Sequence, residues 1–217
     1  MTEKNEYLQQ LIQAIISGKA ELARQSTYGS LTKGGSLNDV LDSIMEAVDI
    51  LFDLNEIGGT DQGRLTAAES ALNSSLDALH DELNESEKRL NMKATVGPVG
   101  LRAGSLMSIA TSALLRSAGF QSFSLSKTQT PLELLRNSEE LGADLVVPML
   151  SNEDVEQRMH NLVDEIQRGG FKSKFLVIPI VLGLPEHLEL PLHAMKNSGE
   201  AISEALRWAQ QKATRDL

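Results

Sequence analysis

Cysteine is absent from the 217 residues of this chain. Its absence excludes disulfides, thiolate nucleophiles and thiolate metal sites together. Aromatic residues make up only 4% of a sequence that is 41% hydrophobic, so Leu, Ile, Val, Ala and Met must fill most of the core. Positive charge is also scarce, because 20 Lys and Arg face 30 Asp and Glu, for a net charge of −10. Nucleic acid or an anionic membrane surface would need a concentrated basic face, so neither is an expected partner.

Long apolar runs are lacking as well. No stretch approaches the roughly 18 apolar residues that a membrane span requires. The polar opening MTEKNEYLQQ has no signal-peptide pattern. We therefore expect a soluble, cytoplasmic protein.

The first ninety residues have a helical pattern. Apolar side chains recur at helical spacing, and Gly18 and Gly29 are expected to end the first two helices. Ser36 is a predicted N-cap, with Asp39 three positions later. The predicted helices are Tyr7–Ser17, Ala20–Tyr28, Leu37–Leu51 and Thr66–Leu90, with Asn55–Gly63 as a polar connection. The pattern indicates a four-helix domain over residues 1–90.

From Lys93 onward, short apolar strands alternate with helices. Pro148 predicts that the third strand ends at that residue. The predicted strands are Ala94–Val99, Phe120–Leu125, Asp144–Leu150 and Lys174–Leu182. The predicted helices end at Gly119, begin at Thr130-Pro131, and cover Asn152–Gly169 and Ser198–Lys212. In the last of these helices, Ile202, Leu206 and Ala209 are expected to face inward. Such alternation is typical of a doubly wound parallel sheet, here over residues 91–217. Ligands of these sheets bind at the carboxyl ends of the strands, where the loop after the first strand lies.

That loop carries glycines at Gly97, Gly100 and Gly104, with Arg102 between them and Ser105 as a candidate N-cap. Helix amides and a guanidinium could together bind an anion. The spacing matches neither the dinucleotide fingerprint nor the phosphate loop, so a tight turn between strand and helix is the alternative.

The histidines offer one cluster. Pro185–His193 contains His187, His193 and two glutamates, which suits zinc or iron, although a solvated loop explains the same residues. His160 is expected to face solvent. No serine occupies a nucleophile elbow, and no carboxylate pair is placed by a catalytic motif, so the sequence predicts no catalytic residue.

Several segments resemble the corrinoid proteins of cobalamin-dependent methyltransferase systems. They are LQQLIQAIISGKAELA, TVGPV, LLRSAGF, GADLVVP, QRMHNLVDEIQRGG and GEAISEALRWAQ. The resemblance implies an all-α four-helix cap over residues 1–90. It also implies a Rossmann-like (flavodoxin-like) cobalamin-binding domain over residues 91–217, which carries a methyl group for a partner methyltransferase.

The cofactor motifs of that family are altered here. Without gaps, its Asp-x-His-x-x-Gly motif falls on Arg102, Gly104 and Met107, and its Ser-x-Leu motif on Met149–Ser151. The resemblance therefore implies that the histidine ligand to cobalt is lost. It also implies that two methionines enter the channel that holds the nucleotide tail of the corrinoid. The candidate cofactor-binding residues are Arg102, Gly104, Ser105, Met107, Met149 and Ser151, with Phe52 and Leu54 as candidates for shielding a methyl group.

Two hypotheses follow. In the first, the chain is a corrinoid carrier that binds cobalamin without a histidine ligand, and its partner is a methyltransferase. In the second, it is a cofactor-free or differently liganded binding module that kept this fold, and its partner is a regulatory protein. A second copy of the chain is a further candidate partner in either case. No metal site is predicted from the protein's own side chains beyond the open question of the histidine loop.

Overall fold

Five helices precede the first strand in the part of the chain that the computed structural model describes. This part comprises residues 3–87, 89–99, 104–125, 130–150, 155–171, 173–179, 193–194 and 197–215. The five helices are α1 (Glu3–Ile16), α2 (Ala20–Thr32), α3 (Leu37–Glu56), α4 (Gln62–Asp77) and α5 (His80–Ser86). Ser36 caps α3 as predicted, because Asp39 N donates to Ser36 Oγ at 3.1 Å and Ser36 N donates to Asp39 Oδ2 at 2.8 Å.

Two helix ends differ from the predicted ones. α2 continues through Gly29 to Thr32. Gly29 allows close packing of α2 on α1, since a Cβ there would lie 2.5 Å from two ring carbons of Tyr7. α3 continues beyond Leu51, which is fully buried, and ends only where Gly58 adopts a φ of +71°. Gly59 N then donates to Leu54 O at 2.8 Å and closes the helix end.

The predicted helix Thr66–Leu90 is two helices. α4 ends at Asp77, and Leu79 N donates to Leu76 O at 3.0 Å, a tighter turn than the α-helical one. Ala78 and Leu79 are both buried at this break, so the bend places apolar side chains in the core. Neither Gly nor Pro occurs in the sequence at this break between α4 and α5.

The rest of the chain alternates between strand and helix. The described elements are β1 (Lys93–Val99), α6 (Gly104–Ser117), β2 (Gln121–Ser124), α7 (Pro131–Glu140), β3 (Leu145–Leu150), α8 (Val155–Gly169), β4 (Lys174–Pro179), β5 (His193–Ala194) and α9 (Ser198–Arg215). α7 opens as predicted, with Pro131 in its first turn and a capping box between Thr130 and Glu133. Residues of the predicted fourth strand after Pro179, up to Leu182, lie outside the described residues.

The described strands form one parallel sheet in the order β2-β1-β3-β4-β5. This is the flavodoxin-like order, in which the chain reverses direction across the sheet at β1 and β3. The prediction of an all-α part followed by an α/β parallel-sheet part is confirmed. The chain divides into two compact units, Met1–Ser86 and Glu87–Leu217.

Pro148 lies inside β3, so the prediction that the strand ends there is wrong. β3 pairs without interruption with β1, where Pro148 is opposite Gly97. Toward β4 the partner pairs pass from Val146 and Phe175 to Met149 and Ile178. Pro148 has no backbone N–H to donate, and this position faces β4. Two residue pairs are therefore absent between β3 and β4, while the register of the two strands is the same before and after the gap.

The two faces of the sheet are covered by different helices. α7 and α8 pack on one face, where Leu134, Leu135, Met159 and Leu162 form a buried cluster with Val146 and Leu150 of β3. α6 and α9 contact each other and the sheet, and because side chains alternate along a strand, Val147 and Met149 point to their side. We call the latter the α6/α9 face.

α9 packs through alanines. Ala201, Ala205 and Ala209 are almost fully buried at a spacing of four residues, whereas Ile202 and Leu206, predicted to face inward, are only half-buried. The small side chains bring the backbone of α9 close to the sheet. Among the described residues, no helix is both long and apolar enough for a membrane crossing.

Candidate functional site

The strand order places the candidate site at the carboxyl ends of β1 and β3. Val99 and Leu150, the last residues of these strands, are direct partners. A crevice opens at such a reversal of strand order, and ligands of doubly wound sheets bind there. Arg102 and Ser151 follow these two residues in the sequence, but both lie outside the described residues, as does Gly100.

The first turns of α6 carry three of the predicted site residues. Gly104, Ser105 and Met107 are all buried. The N-cap prediction for Ser105 is wrong, because α6 begins at Gly104 and Ser105 is its second residue. Gly97 is not part of the loop either: it lies in β1, where a Cβ would meet Leu134 Cδ1 of α7 at 2.6 Å. Its role is close packing of a helix on the sheet.

Met107 meets α9 rather than an open channel. Ser198 Oγ, at the start of α9, donates to Met107 Sδ at 3.7 Å, and the hydroxyls of Ser198 and Thr111 are 2.7 Å apart. Thr111 is fully buried, and Met107 and Ser198 are 7% and 3% exposed. Met149 is 1% exposed and points to the same face of the sheet. The structure thus places Met107 and Met149 on the same α6/α9 face.

Further buried hydroxyls tie α6 to the sheet. Ser108 Oγ donates to the backbone oxygen of Val96 in β1 at 2.8 Å, and the hydroxyls of Ser112 and Ser122 lie 2.9 Å apart. The sequence reasoning missed this set. A signal was present, since Ser105, Ser108, Thr111 and Ser112 recur at three- and four-residue spacing on an otherwise apolar helix.

The resemblance to corrinoid proteins implies that a nucleotide tail would enter the α6/α9 face. In this chain Met107 and Met149 are buried on that face, and so are Thr111 and Ser198, whose hydroxyls are in contact. α9 lies close behind them on its three alanines. Gly104 has no side chain, so this position offers no atom to coordinate cobalt.

At the opposite end of the sheet, where β1 and β3 begin, a charged network surrounds Asp144. Lys212 Nζ of α9 donates to Asp144 Oδ1 at 2.6 Å, and the backbone N–H of Lys93 donates to Oδ2 at 3.0 Å. Burial alone would raise the pKa of Asp144, but the Lys212 ammonium and the Lys93 N–H outweigh it and hold the pKa below its usual value. This network fastens α9 to the ends of β1 and β3 and so fixes the helix that closes the α6/α9 face.

The remaining predicted site residues belong to other elements of the chain. Phe52 and Leu54 lie on α3 of the first unit, half-buried, and not in the connection that was predicted to begin near them. His160 is exposed on α8, as predicted. His187 lies outside the described residues, and of His193 only the backbone in β5 is described. Within the described ranges, no three His, Asp or Glu residues group closely enough to hold a metal ion.

Comparison with solved structures identifies the architecture. The chain aligns over 94% of its length with 98% of the monomethylamine corrinoid protein of Methanosarcina barkeri, with a TM-score of 0.69 and 16% identity. The two proteins share a fold. At this identity the likeness concerns the fold alone.

Two weaker similarities were also found. The methanol:cobalamin methyltransferase complex of Methanosarcina barkeri aligns with a TM-score of 0.46 and 13% identity, over 95% of this chain and 80% of that one. A cobalamin-binding protein from Desulfitobacterium hafniense DCB-2 aligns with a TM-score of 0.49 and 14% identity, over 93% of this chain and 98% of that one. No protein-family model matches the sequence, and no curated protein matches it significantly.

Proposed function

We propose that this protein binds a corrinoid at the carboxyl edge of its sheet without a histidine ligand to cobalt, and that it serves as a methyl carrier for a partner methyltransferase. The observation that carries the proposal is the shared fold with a corrinoid protein along nearly the entire length of both chains. The flavodoxin-like strand order supports it, because the reversal at β1 and β3 makes a crevice at that edge. The protein would supply binding and positioning, while the cofactor carries the reactive chemistry.

Gly104 has no side chain, which supports a mode of binding in which this position supplies no ligand to cobalt. The carrier would then hold the corrinoid through the macrocycle and its amide side chains, which offer many hydrogen-bonding groups to loop backbone.

A binding assay tests the proposal. Purified apoprotein is mixed with hydroxocobalamin or methylcobalamin, desalted, and its visible spectrum is recorded. We expect about one equivalent of corrinoid to remain with the protein at micromolar concentrations. A colourless protein under these conditions refutes corrinoid binding. Transfer of the methyl group from the loaded protein to a thiol acceptor, only when a methyltransferase is added, tests the carrier role.

The alternative is a cofactor-free or differently liganded regulatory module, with a regulatory protein as its partner. The specific observation in its favour is the filled α6/α9 face, where Met107 and Met149 are buried in protein contacts. A colourless protein in the same assay, combined with an unchanged thermal midpoint in the presence of excess hydroxocobalamin, would favour this reading.

A further inference from the structure

Buried polar contacts join α6 to α9 on the α6/α9 face. Thr111 on α6 and Ser198 on α9 place their hydroxyls 2.7 Å apart, and Ser198 also donates to Met107 Sδ. These three residues, which we call the α6–α9 latch, come from segments separated by about ninety positions. All three are buried, so the latch lies in a region from which water is excluded.

Opening the latch to admit a ligand group is unfavourable for two reasons. It would separate two buried hydroxyls and leave each without its partner, and an unsatisfied buried polar group is costly. It would also displace Met107 and lift α9 from the sheet, although Ala201 and Ala205 hold it there by close packing. The hydrogen bond from Lys212 to Asp144 resists the same movement at the far end of α9.

We infer that the α6–α9 latch excludes the nucleotide tail, so that the protein recognises the macrocycle of a corrinoid and does not distinguish tailed from tail-less corrinoids. This inference rests on the proposed corrinoid binding. A tail that cannot enter the domain stays outside, and in cobalamin its benzimidazole base then stays on cobalt. Gly104 agrees with this, since it has no side chain to displace the base.

The test compares methylcobalamin with methylcobinamide, which lacks the tail, by titration of the full chain. We expect dissociation constants that agree within about threefold. We also expect bound methylcobalamin to keep the visible spectrum of its base-on form at neutral pH. A base-off spectrum, or methylcobinamide binding more than about tenfold more weakly, overturns the inference and leaves the proposed function standing. Failure of both corrinoids to bind overturns the proposed function itself.

A pair of variants assigns the exclusion to the latch. Met107→Ala truncates the methionine of the latch, and Met159→Ala truncates another buried methionine, on the other face of the sheet. We expect Met107→Ala to shift the affinity ratio toward methylcobalamin by about tenfold, equivalent to roughly 1.4 kcal/mol, and Met159→Ala to leave the ratio unchanged. An unchanged ratio in Met107→Ala, or an equal shift in both variants, overturns the role of the latch. Far-ultraviolet circular dichroism confirms that each variant is folded before titration.

Discussion

Replacing Asp144 with Asn separates the charge of this residue from its hydrogen bonds. The carboxylate binds the ammonium of Lys212 at 2.6 Å and the backbone N–H of Lys93 at 3.0 Å. Asn keeps an oxygen for one of these donors but carries no charge. The substitution therefore weakens the fastening of α9 to the sheet while leaving the shape of the site nearly unchanged.

The size of the effect follows from exposure. A hydrogen bond to a charged group contributes about 1.5–3 kcal/mol, and a neutral one about 0.5–1.5 kcal/mol. Asp144 and Lys212 are 30% and 37% exposed, so solvent screens part of this difference. We expect Asp144→Asn to lower the free energy of unfolding by about 1 kcal/mol at neutral pH.

The effect has a defined pH dependence. The pKa of Asp144 is lower in the folded protein than in the unfolded chain. A depressed pKa of this kind contributes stability that is fully present above the unfolded pKa, about 3.9, and is lost as pH falls through the folded pKa. The difference between the wild type and Asp144→Asn should therefore shrink as pH falls below about 4.

Urea unfolding followed by the fluorescence of Trp208 measures this difference. Trp208 is the single tryptophan of the chain and lies on α9, so its signal reports on the second unit. Lys212→Met is the control, because in that background Asp144→Asn should cost much less. An equal loss at neutral and acidic pH, or an unchanged cost in the Lys212→Met background, would refute the reasoning.

Three further substitutions test packing and capping. Gly29→Ala should destabilise the helical unit by up to about 2 kcal/mol, because overpacking against Tyr7 exceeds the gain in helix propensity. In a Tyr7→Ala background the same substitution should stabilise the unit by about 1 kcal/mol. Thermal unfolding followed by circular dichroism shows whether the change in stability reverses its sign. Gly97→Ala should cost about 1–3 kcal/mol in the Trp208 assay through its clash beneath α7, and a neutral result contradicts the packing role. Thr130→Ala should cost about 1 kcal/mol in the same assay by removing the α7 cap, and an unchanged midpoint would count against it.

Local signals were sufficient for most elements. The Ser36 and Thr130 caps, each with an acidic residue three positions later, locate helix starts because the bonds that form them are local. Gly29 shows the limit of such signals. A glycine after an apolar run favours a helix end, but whether it ends the helix depends on Tyr7, which lies on another helix.

The candidate site was predictable in part. Met107 and Met149 could be assigned to one face because the fold fixes strand alternation and helix position. Ser198 could not be found in this way, since its contacts with Met107 and Thr111 join positions about ninety residues apart and only the packing of α9 makes them neighbours. The prediction for Ile202 and Leu206 failed for a similar reason, because the close approach of α9 to the sheet favours the smaller alanines at the buried positions.

The proline within β3 has a consequence for how the sheet comes apart. β1 and β3 are joined by consecutive pairs, whereas β3 and β4 skip two pairs at Pro148. Under mild denaturant, local opening should begin at this seam and release β4 and α9 together, with the amides of β4 exchanging with solvent faster than those of β1. Two contacts of α9 oppose this opening: the α6–α9 latch at its start and the hydrogen bond from Lys212 to Asp144 near its end. The strength of these two contacts would then determine how often β4 separates from β3.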